Sequence, residues 1–283
     1  MKYEIFRFFM NILPHKLGHK LLYRQVFHRK LNLKQPIGLN EKIQYLILNE
    51  LGDNESDLSD KVKVKEILTH QNIDGLRIPK TLFTFKSKAE LKRLNRSELP
   101  EKFVLKCNHG SGHVFVCYDI NNFSFDEKIN ILLKDLKKDF SKNSLEYHYS
   151  GIEPCIMIEE YLEDSENKLP LDYKFFSYNG NTKYVMVCTE RESGYKATFF
   201  DKNWNKIDYS MNPSSNEIKK PKNLEKMWEI SEKLSKGHKF VRVDLYNING
   251  EVYFSELTFT PAAGLSRTYT SEGNKILGSY LKI

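Results

Sequence analysis

The chain has 283 residues, 40% of them hydrophobic, 29% charged and 13% aromatic. That is enough for two lobes around a sizeable core, and the balance excludes collagen-like, low-complexity and disordered chains. The formal net charge of +7 belongs to one end: residues 1–39 hold eight basic residues against one acidic, and residues 40–283 balance 36 against 36. A nucleic-acid enzyme would spread its cations along a phosphate-tracking groove, so no nucleic-acid partner is expected.

The first 35 residues read as two helices broken at Pro14. In the second, Lys16, Lys20 and Arg24 recur at i, i+4 and i+8, with Leu17, Leu21, Leu22 and Val26 nearby. Two readings are open. The helix lies on an anionic membrane surface, or it packs its leucines on the body and leaves its charges in water. No run approaches the roughly 18 apolar residues of a membrane-spanning helix, and the apolar stretch 5–13 contains Arg7 and has no cleavage site after it. The expected location is cytoplasmic, with a peripheral position at the inner membrane face. Cys107, Cys117, Cys155 and Cys188 show no CxxC spacing and are expected as buried thiols.

A helix follows over 41–50, then an acidic, Asn-containing loop over 52–57, then a helix capped by Ser59 or Asp60 and running through Lys65 and Leu68. Residues 81–85 read as a strand, and Ser87 with Glu90 has the spacing of a capping box. Apolar runs at 102–107 and 113–118 flank Asn108-His109-Gly110-Ser111-Gly112, the pattern of a hairpin with a Gly-rich turn. A helix over 125–140, a strand over 155–162, strands over 173–178, 182–189 and 196–200, and a helix over 222–236 come next. A long hairpin closes the pattern, 240–248 with 251–259, turned at Asn249-Gly250. The fold class is α+β with mostly antiparallel strands.

Two constellations carry chemistry. The Gly-rich turn directly follows Lys106, so its backbone N–H groups could cover phosphate oxygens while the ammonium adds a point charge. The spacing is neither a P-loop nor GxGxxG, and an ordinary hairpin turn is the other reading. His109 and His113 stand four apart, but the glycines between them argue against the helix that a metal pair at this spacing needs. In the closing hairpin, period-2 alternation puts Arg242 and Asp244 on one face, puts Glu256 and Thr258 on one face of the partner strand, and sets Asp244 almost opposite Glu256. Facing carboxylates suit a shared magnesium ion, or else ion pairs with Arg242 and Lys174. No Ser-His-Asp or Cys-His arrangement for covalent catalysis is recognisable.

Five blocks taken together, Asp60-Lys61, FVLKCNHGSG (103–112), IEEYLED (158–164), DYKFF (172–176) and VRVDLYNINGEVYFSELTFTP (241–261), resemble the ATP-grasp superfamily. More closely, over about 38–283, they resemble the TupA-like ATP-grasp proteins found among bacterial cell-surface polysaccharide genes. The resemblance implies two α+β lobes gripping ATP: a basic helical segment over 1–55, a central lobe over 56–160 and a C-terminal lobe over 161–283. It implies that Lys61 and Lys106 meet the ATP phosphates under Gly110, Ser111 and Gly112. Glu159, Glu160, Tyr161 and Leu162 would form the hinge at the adenine edge, with Asp164 or Glu166 at the ribose. Asp244 and Glu256 would hold Mg2+, with Thr258 where many members have Asn, and Arg242 would stabilise the transferring phosphoryl group.

Lys174, Arg191 and Lys196 are candidates to hold an acidic substrate. Pro261-Ala262-Ala263-Gly264 stands where many members have Pro-Gly. The first 55 residues are too few for the separate α/β domain that commonly precedes the grasp, so the acceptor site is expected among the N-terminal helices, the central lobe or a partner. The implied reaction is ATP-dependent carboxylate–amine ligation through an acyl phosphate, releasing ADP. It would join an amino acid or amino alcohol to a uronic acid or peptide of a surface polysaccharide such as a capsule or teichuronopeptide. A glycan kinase or glycosyltransferase of the same pathway and a non-catalytic nucleotide-binding scaffold are the alternatives.

Overall fold

The computed structural model describes residues 13–164, 170–190 and 194–283. Helices α1 (His15–Phe27), α2 (Leu39–Asn49), α3 (Asp53–Ser59) and α4 (Lys63–Gln71) come first. Strands β1 (Leu76–Arg77) and β2 (Thr81–Phe85), helix α5 (Lys88–Leu91) and the hairpin β3 (Phe103–Cys107) and β4 (Val114–Cys117) follow. Helices α6 (Phe125–Asp135) and α7 (Phe140–Ser144) lead to β5 (Ile156–Glu160). The rest holds β6 (Asp172–Tyr178), β7 (Asn181–Thr189), β8 (Lys196–Phe200), β9 (Lys206–Ile207), α8 (Leu224–Leu234), β10 (Val241–Ile248), β11 (Glu251–Thr258) and α9 (Ser271–Ser279).

Two sheets organise these elements. The smaller runs β2-β5-β3-β4, all antiparallel, and buries alternate residues Phe103 and Leu105 of β3 against Ile129 and Leu132 of α6. The pleat therefore sends Lys106 to the opposite face. The larger sheet runs β1-β11-β10-β6-β7-β8-β9, antiparallel except that β1 joins β11 in parallel. On one face Phe175, Val243 and Phe254 pack under Met227 and Trp228 of α8. Each such side chain contributes about 1.5–3 kcal/mol by its burial. On the other face Phe176, Tyr178 and Phe199 pack against Leu39 and Ile43 of α2 and Leu277 of α9. These helices cover one end of that face, and the strands beyond them carry Lys174, Arg242 and Asp244. Helix α2 thus builds onto the C-terminal sheet.

The closing hairpin turns at Asn249 and Gly250, both left-handed with φ of 51° and 82°, as a two-residue hairpin of this twist requires. Its register sets Asp244 opposite Glu256, and a bulge before Leu245, which pairs with Phe254, leaves Ser255 without a partner.

Several expectations need correction. Residues 52–57 are not a loop, because α3 starts at Asp53. Glu55 Oε2 accepts the Gly52 N–H at 3.0 Å, and Asp53 and Glu55 stand in a first turn whose free N–H groups favour negative charge. The next helix starts only at Lys63, with Asp60 Oδ1 accepting from the N–H groups of Val62 and Lys63. The helix expected over 125–140 ends at Asp135, and Asp139 caps the separate α7 by accepting the Lys142 N–H at 3.1 Å. Helix α1 does not pack through Leu17 and Leu21, which are 43% and 36% exposed beside Lys16, Lys20 and Arg24; it buries Gly18, His19, Leu22 and Tyr23. The first helix expected before Pro14 lies outside the described residues. Among the described residues no helix is long and apolar enough to cross a membrane, and all four cysteines are buried and free.

Candidate active site

The Gly-rich turn is fastened from below. Asn108 donates to Asp60 Oδ1 and the Glu153 carbonyl, each at 3.0 Å, and its own Oδ1 accepts the Cys155 N–H at 2.8 Å. Lys61 Nζ donates to the Gly110 carbonyl at 2.8 Å, tying α4's leading turn to the loop. Gly110 has φ of +63°, and a Cβ there would stand 2.3 Å from the Phe140 ring. Glycine is required at that position for both reasons. Ser111 and Gly112 are exposed at the tip.

Beside the loop three lysines gather on the face of the small sheet opposite α6. Lys106 Nζ lies 2.7 Å from Glu159 Oε1, and Lys65 of α4 holds the other oxygen, Oε2. Burial opposes both charged forms, but Glu159 holds the Lys106 ammonium above its ordinary pKa, and the two ammoniums keep the Glu159 carboxyl below its own. One carboxylate between the ammoniums of Lys65 and Lys106 leaves that trio with one surplus positive charge. Lys61 is pulled down by burial, opposed first by Glu256 of the other sheet.

Across from it, Asp244 is fully buried. Arg242 grips it with two hydrogen bonds, Nε to Oδ1 at 2.7 Å and Nη2 to Oδ2 at 2.6 Å. Nη2 also donates to Glu256 Oε1 at 3.2 Å and to Thr258 Oγ1 at 3.1 Å, and Thr258 Oγ1 donates to Glu256 Oε1 at 3.1 Å. Lys174 Nζ bridges Asp244 Oδ2 at 2.5 Å and Asp172 Oδ2 at 2.6 Å, while the buried Asp172 Oδ1 has no hydrogen-bond partner among the described residues. Burial pushes the Asp244 carboxyl up to about 6 in spite of Arg242 and Lys174. Burial acts the same way on Glu256, but Lys61, Lys174 and Arg242 outweigh it and bring it down to about 2.

The fold therefore brings together Lys61, Lys106, the Gly110 loop, Arg242, Lys174, Asp244, Glu256 and Thr258. Of the two readings of the hairpin carboxylates, the ion pairs with Arg242 and Lys174 are formed; the donors are oxygens, the type that magnesium takes. Among the described residues no three His, Cys, Asp or Glu side chains gather closely enough to hold a metal unaided. One or two carboxylates with substrate phosphates are the usual magnesium environment, so the set fits.

Other expectations fare differently. Alternation turns the Glu159 carboxylate into the lysine cluster. Glu160 accepts the Lys80 N–H at 2.7 Å and donates its own N–H to the Lys80 carbonyl. Tyr161 meets Tyr118 edge-on with ring centroids 5.6 Å apart, Leu162 is half-buried, and Asp164 lines a cleft of about 820 Å3 with Asn249 and Lys222. Lys174 is enclosed by carboxylates rather than open to a substrate, and Lys196 bonds Asn212 Oδ1 at 2.8 Å. Glu166 and Arg191 lie outside the described residues. Reading the sequence missed Lys65, although its place four residues after Lys61 puts both on one side of the α4 entry, and Asp172, two residues before Lys174 on the same strand face.

The model of the family described as TupA-like ATPgrasp matches residues 41–282. The chain belongs to that family. Its fold is the ATP-grasp fold, with mostly antiparallel sheets preceded by N-terminal helices. Solved structures similar to this TupA-like protein include a D-alanine–D-alanine ligase from Bacillus anthracis, at 18% identity over 79% of this chain and 63% of that one, with a TM-score of 0.45. They also include the ATP-grasp ligase PsnB complexed with minimal precursor (11%, 73% and 54%, TM-score 0.42) and a phosphoribosylglycinamide synthetase from Anaerococcus prevotii (20%, 79% and 50%, TM-score 0.39). The chain spans between half and two thirds of the length of these three structures. No curated protein matches it.

Proposed function

We propose that this TupA-like protein is an ATP-dependent carboxylate–amine ligase that works through an acyl phosphate and releases ADP. The observation that carries the reading is the opposition of two charged clusters, Lys61, Lys65, Lys106 and Glu159 at the Gly110 loop and Lys174, Arg242, Asp244 and Glu256 on the large sheet, with Lys61 and Glu256 acting on each other between them. Phosphoryl transfer is catalysed mainly by positioning and by cations placed where charge develops, and this is what the arrangement supplies. Lys61, Lys106 and the backbone of Gly110, Ser111 and Gly112 hold the phosphates. Glu160, Tyr161 and Leu162 border the adenine, with Asp164 toward the ribose. Arg242 faces the transferring phosphoryl group, and Lys174 orients Asp244. Mg2+, when bound to Asp244 and Glu256 with Thr258 beside them, supplies charge neutralisation at the phosphates.

The substrates we assign are an amino acid or amino alcohol and a uronic acid or peptide of a bacterial surface polysaccharide, the setting the family suggests. Such a reaction suits the cytoplasmic face of the membrane. The test is to incubate the protein with ATP, Mg2+ and paired panels of uronic acids and amino acids. ADP, phosphate and amide should appear in equal amounts, only when both partners are present. AMP with pyrophosphate would contradict the reading, and a stable phosphorylated sugar would make the protein a kinase.

A further inference from the structure

Helix α1 is fixed to the body through one side. Leu22 and Tyr23 are 1% and 0% exposed. His19 Nδ1 shares a hydrogen bond of 2.6 Å with Gln44 Oε1 of α2, and His15 stacks on Tyr147 with ring centroids 3.9 Å apart. At the last turn Arg267 Nη2 donates to the Val26 carbonyl at 2.9 Å. The outward side is therefore a fixed surface.

That side carries Lys16, Leu17, Lys20, Leu21 and Arg24, all exposed. At about 100° per residue these five fall within an arc of about 140°. Among the described residues none of the three cationic side chains forms an ion pair or hydrogen bond. Residues 13–40 contain Lys16, Lys20, Arg24, Arg29, Lys30 and Lys34 and no acidic residue, so the surface has one sign of charge. The solvent side of α8, by contrast, interleaves Glu225 and Glu229 with Lys226 and Lys233. Lys16 also stands in the first turn of α1, where the helix dipole is positive and no acidic residue offsets it. It costs the helix stability rather than adding to it, so its use lies outside the helix.

Cations alone would suit any polyanion, and the leucines decide between partners. Leu17 and Leu21, 43% and 36% exposed, gain nothing from a soluble polyanion but are removed from water at the acyl boundary of a bilayer. Lysine and arginine stems lie along such a boundary with their charged heads in the polar layer. We propose that this face of α1 docks on an anionic lipid bilayer, Leu17 and Leu21 entering the headgroup region and Lys16, Lys20 and Arg24 meeting lipid phosphates. Gln25, Val26 and His28, at the C-terminal end of α1, line a cleft of about 780 Å3 together with Ser111 of the Gly-rich loop. Docking thus sets that cleft beside the bilayer. The docking does not depend on the ligase reading.

The full chain carrying Leu21→Cys, labelled there with nitrobenzoxadiazole, tests this, since all four native cysteines are buried. Vesicles of equal parts phosphatidylglycerol and phosphatidylcholine at low salt should shift the label's emission to the blue. Phosphatidylcholine alone, or dextran sulfate, should leave it unchanged. In the unlabelled chain, Lys16→Gln, Lys20→Gln and Arg24→Gln combined should weaken binding to the anionic vesicles roughly a hundredfold, about fivefold per cation, with ATP affinity and melting temperature as in the parent. No binding to the anionic vesicles, parental binding by the triple variant, or binding without a blue shift would overturn the proposal. Binding to dextran sulfate but not to vesicles would also overturn it and assign the surface to a soluble polyanion.

Discussion

Lys106→Met removes an ammonium and keeps most of its apolar stem. In the parent, Lys65 and Lys106 share Glu159, with Lys65 the deeper of the two, 6% exposed against 17%. The variant leaves a neutral Lys65–Glu159 pair, so the surplus charge of the Lys65, Lys106 and Glu159 trio falls from one to zero. A hydrogen bond from a charged group contributes about 1.5–3 kcal/mol. At about 1.4 kcal/mol per tenfold, ATP should bind roughly 10- to 150-fold more weakly. Because Glu159 keeps one partner, the melting temperature should change little. Lys65→Met should do the reverse, costing more stability than affinity, since it empties the buried oxygen. Calorimetric titration with Mg-ATP, run beside a melting curve for both variants, checks the pair. Parental ATP affinity in Lys106→Met would refute the assignment of the surplus charge to the phosphates.

Other expected outcomes follow from the same geometry. Gly110→Ala should destabilise the protein by about 1–3 kcal/mol, because its Cβ meets the Phe140 ring, whereas Gly112→Ala should be tolerated, its nearest neighbour being Asp135 Oδ2 at 3.6 Å; denaturant melts compare them. Asp244 has a folded pKa of about 6, above its ordinary 3.8, so its contribution is fully present below pH 3.8 and lost as pH rises through 6. Melting temperatures of the parent should therefore fall relative to Asp244→Asn as pH rises from 4 to 7, and a constant difference would contradict this. The exposed α1 face suits an anionic membrane, so replacing Lys16, Lys20 and Arg24 by Gln should release the protein from anionic vesicles at low salt without altering ATP binding; Leu17→Asp should also release it while leaving the melting temperature unchanged. Vesicle sedimentation at two salt concentrations decides, since an electrostatic attachment fades as the screening length drops below about 10 Å.

Much of this was legible because the informative residues lie on strands with a fixed period of two. The Asn249-Gly250 turn alone would set Asp244 opposite Ser255, and the bulge on the turn side of that pair advances the partner strand by one residue and brings Glu256 opposite Asp244. The partners of Glu159 were less legible. A hinge motif does not say that Met157 and Glu159 share the pleat face of Lys106, where a carboxylate is drawn to two lysines. The exposed leucines of α1 were not legible, since periodicity shows that a helix has faces but not that Gly18 and His19 make the close approach.

The central claim is that a substrate carboxylate becomes an acyl phosphate held between the two charged clusters. A carboxylate substrate carrying heavy oxygen tests it most directly. The account predicts that one labelled oxygen per turnover appears in inorganic phosphate, with ADP as the nucleotide product and loss of the transfer in Glu256→Gln. Unlabelled phosphate, or label found in AMP, would contradict it.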